Sequence, residues 1–241
     1  TDSAGNTGTT NRILRVRDTL DPTVQIIGPA NMITECGEPF ADPGYVAIDQ
    51  CNPSPSVMST PIDTSILVTQ TRTYMAFDGA GQSAQTQRTV SVVDTLSPTV
   101  SLVGTATMNR ECGVNTYTEP GAIASDQCEG SVPVVTLGSE NVDSGTPGEY
   151  TVQYDASDSS GNTINTTRTV NINDTIAPSI NCNAGIAVEA TGPEGAVVTF
   201  GATTLDQCDA APVVDCALSG TLFPIGAHHV SCTSTDGSGN I

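Results

Sequence analysis

The chain has 241 residues, with 26 acids against seven arginines, no lysine and two histidines, for a formal net charge of −19 at pH 7. That balance argues against nucleic-acid backbones and anionic membrane surfaces as partners and in favour of cations. Aromatics are 4% of residues and tryptophan is absent, so stacking platforms for sugars or bases are poorly supplied, and no apolar run approaches the ~20 residues that span a bilayer.

In chain order, the first segment reads as the end of a unit. Thr1-Asp2-Ser3-Ala4-Gly5-Asn6 matches Thr235-Asp236-Gly237-Ser238-Gly239-Asn240, and Arg12 to Arg17 reads as a closing strand. An Asp-Thr-x-x-Pro phrase then opens each of three units, at Asp18, Asp94 and Asp174. Within the first unit, Val24–Ile27, Tyr45–Ile48, Thr73–Phe77 and Thr89–Val93 are short, β-branched or aromatic, and bounded by Gly, Pro, Asn and Asp. Those are strand signals. Their counterparts in the second unit are Thr99–Val103, Ala122–Ala124, Tyr150–Tyr154 and Thr169–Ile172. Nowhere does a helical stripe persist. The expected fold is all-β: tandem immunoglobulin-like β-sandwich domains of about seven strands each, arranged as beads on a string. The expected boundaries are 1–17 (closing strand of a preceding or neighbouring domain), 18–93, 94–173 and 174–241, the last without its final strand. No signal peptide is present, as in a mature or internal fragment.

The first two units share Glu-Cys-Gly, x-Pro-Gly, Ala-x-Asp-Gln-Cys and a terminal Arg-Thr-Val strand. In these motifs they resemble the bacterial Ig-like surface repeat first noted in pesticidal crystal proteins. The third unit carries Asp206-Gln207-Cys208, Ser219 to Gly226 with Phe223-Pro224-Ile225, and Val230-Ser231-Cys232-Thr233. It is similar to a hyalin repeat, or HYR domain. The resemblance covers nearly the whole chain and implies adhesion or spacing, with no catalysis.

Eight cysteines, two, two and four per unit, suggest disulfides and an oxidising, extracellular setting, since small β domains need reinforcement. Cys-x2-Cys zinc knuckles are absent. Cys36 and Cys51 flank Asp42-Pro43-Gly44 almost symmetrically, and Cys112 and Cys128 flank Glu119-Pro120-Gly121 in the same way. A reversal at Pro-Gly would join each pair, closing a loop worth ~3 kcal/mol. The third unit has Ala190 where the others have Cys36 and Cys112. Cys216 is paired with Cys232 on facing strands, which leaves Cys182 with Cys208, although four cysteines allow three connectivities. The resemblance to hyalin repeats also puts a family partner of Cys182 on a strand beyond Ile241.

Three aspartates recur in every unit: Asp18, Asp94 and Asp174 before the first strand; Asp49, Asp126 and Asp206 in Asp-Gln-Cys; Asp78, Asp158 and Asp236 in Asp-x-x-Gly-Asn/Gln. In a sandwich all three fall at the leading end, with Asp21 and Asp155 as candidate fourth acids. Converging carboxylates repel unless neutralised. Calcium, which takes six to eight oxygens, is one answer; solvated turn aspartates or another cation are the others. His228-His229 points to opposite faces of a strand, and the Ser-rich turns lack a histidine to activate them. One acid site per unit without aromatic platforms fits a glycosidase poorly. Asn165 is the better of two glycosylation acceptors.

The reading is a non-enzymatic extracellular segment, at the cell surface or in a filament, that serves as a stalk. Its partners are further copies or further repeats head to tail. The third unit would need a strand from beyond Ile241 or from Thr7 to Arg17 of a neighbour. The alternative is an adhesin module binding a glycan or protein through its loops; a spacer of a secreted hydrolase is a third.

Overall fold

The computed structural model describes residues 1–182 and 184–241. They form two compact units, Thr1–Leu96 and Ser97–Ile241.

The first unit holds six strands: β1 (Thr23–Ile26), β2 (Asn31–Glu35), β3 (Tyr45–Ile48), β4 (Ser56–Ser59), β5 (Thr69–Phe77) and β6 (Ser83–Val93). Strands β1 and β3 pair antiparallel, and β2-β6-β5-β4 form a second sheet. Val24, Tyr74 and Ala76 are buried in the core. On β6 the period of two buries Arg88, Val90 and Val92, as alternation on a half-buried strand requires. Strand β2 runs parallel to β6, with Glu35 opposite Val93, so it ends at the trailing end of the repeat. Strand β3 is antiparallel to β1 and returns to the leading end. The Pro43-Gly44 corner therefore carries the chain between sheets and does not close a hairpin. Gly44 sits at φ 94°, a left-handed conformation that suits glycine.

The second unit begins with the same plan. Its strands are β7 (Thr99–Leu102), β8 (Thr107–Glu111), β9 (Ala122–Asp126), β10 (Gly130–Val132), β11 (Val134–Leu137), β12 (Gly148–Ser157) and β13 (Thr163–Asn173). They form the sheets β10-β9-β7 and β11-β12-β13-β8. Val152, Tyr154, Val170 and Ile172 form the core, with Cys112 buried against them. The third repeat is built from pairs: β14 (Ser179–Cys182) with β16 (Ala202–Leu205), β15 (Ala196–Val198) with β18 (Thr221–Phe223), and β17 (Val213–Asp215) with β19 (Thr233–Thr235). Its described buried residues are Pro178, Gly195, Ala196, Ser234 and Asp236, a much smaller apolar set than in the second repeat. The molecule is thus all-β and built of tandem β-sandwiches.

Candidate functional site at the repeat junction

Each recurring aspartate first organises its own turn. In the Asp-Gln-Cys triplets, Asp49 Oδ1 accepts from the backbone N–H groups of Cys51 and Asn52 at 2.9 and 2.6 Å. Asp206 Oδ1 accepts likewise from Cys208 and Asp209 at 2.7 and 2.8 Å, and Asp126 Oδ1 from Cys128 at 2.7 Å. In the Gly-Asn turns, Asp158 and Asp236 accept from the backbone N–H of Asn162 and Asn240, both at 2.8 Å. The side-chain amides of those asparagines cap Oδ2 at 2.9 and 2.8 Å. Burial, the largest single influence on both carboxyls, pushes their pKa upward. The donors of Asn162 and Asn240, with neighbouring backbone N–H groups, outweigh it and hold both acids below the usual range.

The first repeat departs from that pattern by one methylene. Gln82 stands where the others have Asn, and its Nε2 reaches past Asp78 to the Asp18 carbonyl at 3.0 Å. Asp78 Oδ2 and Gln82 Oε1 are consequently buried acceptors without hydrogen-bond partners. Buried polar atoms in that condition are uncommon and costly.

The topology does bring acids together at the leading ends. Asp18, Asp49 and Asp78 surround the Cys51 thiol closely enough to perturb it. Asp126 and Asp158, both buried, have carboxylate oxygens within 4.8 Å of each other, and Asp174 and Asp206 do likewise. Ser238 Oγ donates to Asp174 Oδ2 at 3.0 Å, and Asn240 Nδ2 to the Asp174 carbonyl at 3.1 Å, which ties the Asp236 turn to the same place. Asp94 follows β6 at the end of the first unit. Asp21 is exposed, and Asp155 lies on β12, where it accepts from Gln153. Asn165 is exposed on β13.

The cysteines require a correction. Cys112 bonds Cys208, while Cys51 and Cys182 are free and exposed thiols. The expected Cys36–Cys51, Cys112–Cys128 and Cys182–Cys208 links are therefore not formed, although Cys36 and Cys128 are both disulfide-bonded. The cause is topological. The strands on either side of Pro-Gly belong to different sheets and run to opposite ends of the sandwich, which separates two cysteines that are equidistant in sequence from the turn. The expected Cys216–Cys232 bond is present.

The bond from Cys112 to Cys208 joins the trailing end of the second repeat to the leading end of the third. A second clamp, which sequence reasoning missed, lies beside it. Glu111 accepts from Thr175 N and Thr175 Oγ1, both at 2.8 Å, and Cys112 N donates to the Asn173 carbonyl at 2.7 Å. The first unit repeats this: Thr95 N and Oγ1 donate to Glu35 at 2.6 and 2.9 Å, and Cys36 N to the Val93 carbonyl at 2.7 Å. The signal was present in the sequence, since Glu-Cys-Gly and Asp-Thr recur together. The parallel register of β2 on β6 and β8 on β13 is what makes them meet.

Also unforeseen were two buried arginines. Arg168 donates to Glu119 at 2.9 Å and to the Val103 carbonyl at 2.7 Å. Tyr154 OH donates to Glu119 at 2.5 Å, and Tyr117 OH donates to it as well. Arg88, Asp42 and Tyr74 form the counterpart in the first repeat. Burial and the Glu119 carboxylate together push Tyr117 up to about 12.

Comparison with known proteins agrees with this architecture. Residues 100–172 match the bacterial surface protein Ig-like domain, and residues 173–241 match the HYR domain. The chain is 34% identical over 182 residues to a hyalin of Strongylocentrotus purpuratus, covering 70% of this chain and 15% of that protein. It is 33% identical over 266 residues to a hyalin of Lytechinus variegatus, covering 100% of this chain and 48% of that one. The chain thus spans less than half the length of either relative. Among solved structures, protocadherin gamma B2 extracellular cadherin domains 1–5 align with 89% of this chain and 56% of theirs, at 14% identity and a TM-score of 0.42. With disulfides that belong to an oxidising compartment, this is an extracellular chain in which a bacterial surface Ig-like domain at 100–172 is followed by a HYR domain at 173–241.

Proposed function

We propose that this chain is a non-enzymatic stalk or filament segment whose repeats are fastened end to end and whose junctions are stiffened by calcium. One observation carries the reading: the Cys112–Cys208 bond runs from the trailing end of one repeat to the leading end of the next. A covalent staple there limits bending between repeats, which a spacer needs and an isolated binding domain does not. The Glu111–Thr175 clamp fixes the same linker. Scattering on the 241-residue chain, oxidised and reduced, tests this. An elongated particle whose maximum dimension falls on reduction supports it; a compact particle indifferent to reductant contradicts it.

Calcium rests on the gathered carboxylates and on the orphaned Asp78 Oδ2 and Gln82 Oε1, since a hard cation takes oxygen ligands of these kinds. The expected outcome is a calcium-dependent rise in melting temperature that Asp78→Asn and Asp126→Asn each reduce. Indifference to chelation would leave the acids as turn formers. The alternative, a binding module, draws on an open cavity of about 800 Å³ in the third repeat, lined by Ile186, Phe200, Phe223 and Val230 together with Glu189 and His228.

A further inference from the structure

Ten residues after the aspartate of each Gly-Asn/Gln turn stands an arginine: Arg88 after Asp78, Arg168 after Asp158, and Arg12 after Asp2. The first two are fully buried. The Asp2 turn has the same internal bonds as its counterparts, with Asp2 Oδ1 accepting from Asn6 N at 2.9 Å and Oδ2 from Asn6 Nδ2 at 2.9 Å. Beyond it, however, Ile13, Leu14 and Val16 are 83, 83 and 91% exposed. Residues 2–17 therefore carry the chemistry of a closing hairpin from an Ig-like repeat, while the body that would bury it is not supplied by the first unit.

The same scale locates three further groups. Val93 and Asn173, fifteen residues after their turn aspartates, accept from the backbone N–H of Cys36 and Cys112; Arg17 is their equivalent. Thr95 and Thr175 are held by the glutamates of Glu-Cys-Gly; Thr19 is their equivalent and has no carboxylate partner among the described residues. Cys208, in the third Asp-Gln-Cys triplet, bonds the cysteine of that same Glu-Cys-Gly phrase; Cys51, in the first triplet, is free. Its loop is set by Asp49 through the same kind of hydrogen bond that Asp206 accepts in the Cys208 loop.

We propose that Arg17, Thr19 and Cys51 form the receiving face of an inter-repeat joint. Its occupant is the Glu-Cys-Gly turn of an Ig-like repeat closed by the Thr7–Arg17 strand. The glutamate takes Thr19, and the cysteine bonds Cys51. The HYR end of a second copy does not fit this role. It has Ala190 in place of the cysteine, Thr199 in place of the Asp42 or Glu119 that pairs the buried arginine, and Cys232 in place of Tyr74 or Tyr154. Formation of the bond removes two electrons and two protons from two thiols. A protein or low-molecular-weight disulfide of the secretory pathway accepts them and is reduced to thiols.

The inference rests on the end-to-end fastening proposed above, and two measurements test it. In the native secreted protein, a non-reducing digest should yield the Cys51 peptide linked to a peptide containing Glu-Cys-Gly. Recovery as an alkylated thiol, or linked to Cys182 or to a second Cys51, overturns the proposal. In the second, a further copy of residues 18–93 is inserted after Val93, so that the first Cys36 is followed by a second Asp49-Gln50-Cys51 triplet. Half of the Cys51 peptide should become linked to Cys36 and half remain alkylable, and Cys36→Ser in the first copy should restore full alkylation. Complete alkylation of both copies, with Cys112–Cys208 intact in the same digest, refutes the proposal while leaving the fastening of the later repeats standing. Loss of Cys112–Cys208 refutes the fastening itself.

Discussion

The second and third repeats hold their interiors together by different chemistry at the same positions. Four residues before the turn aspartate, the second repeat has Tyr154 and the third has Cys232; two residues before the glycine of the Pro-Gly corner, the second has Glu119 and the third, at the equivalent Phe200-Gly201, has Thr199. The second repeat thus centres on a buried Arg168–Glu119–Tyr154 network, and the third on the Cys216–Cys232 bond. The consequence shows in the cores. Val152, Tyr154, Val170 and Ile172 pack as one cluster in the second repeat, whereas the third leaves Ile186, Val188, Val197, Leu222 and Ile225 exposed. A buried charge pair demands that each charge keep its partner, because a buried unpaired charge is severely destabilising. A disulfide makes no such demand, and it tolerates a looser sandwich.

The contrast can be broken at its strongest point first. Arg168→Ala should cost the second repeat about 3–5 kcal/mol, the usual result of stranding one member of a buried pair, read as a shift in denaturant midpoint. Cys216→Ser with Cys232→Ser should destabilise the third repeat by about 3 kcal/mol, as expected for a loop of this length, and should leave the second repeat unchanged. The opposite assignment of the two losses would invert the comparison.

Acid separates the two devices further. Glu119 and Asp42 are held below the usual carboxylate range: burial opposes this, but the tyrosine hydroxyls, backbone N–H groups and arginines prevail. A depressed folded-state pKa gives stability that is present above the unfolded value and is lost as pH falls through the folded one. The Ig-like repeats should therefore lose stability on acidification below the ordinary carboxylate range. Glu119→Gln should flatten that dependence in the second repeat. The disulfide-held third repeat should be less affected through this route. Melting curves across pH, followed by a probe in each repeat, measure it.

Much of the architecture was legible in the sequence, and the failures have physical causes. Tyr45–Ile48 was located at its observed limits, and Val24–Ile27 was displaced from β1 by one residue, because β-branched runs between turn formers mark strands that face a core. Strands β2 and β8, with sequences NMITE and TMNRE, went unseen. They are edge strands in parallel register, and their mixed polarity gives no clean alternation. The structure brings Asp126 to Asp158 and Asp174 to Asp206, since strand count alone decides which end a turn occupies. The disulfides misled because symmetry about Pro-Gly is a local property, whereas sheet membership depends on long-range pairing.

A smaller effect sharpens the account of the acids. Gln82→Asn should supply the side-chain cap that Asp158 and Asp236 already have, and so satisfy Asp78 Oδ2. The expected gain is about 1 kcal/mol in the absence of calcium, with a weaker response of the first repeat to added calcium. Glu111→Gln should loosen the Thr175 clamp by about 1 kcal/mol at most, because the site is exposed, and hydrogen exchange at Thr175 reports it.

The claim that repeats are fastened to one another, and are not merely crosslinked internally, is tested most directly by peptide mapping of the unreduced 241-residue chain. The account predicts a single species in which the Cys112 peptide is linked to the Cys208 peptide, with Cys216 linked to Cys232. Recovery of Cys112 linked to Cys128, or of Cys112 and Cys208 as alkylated thiols, would contradict it.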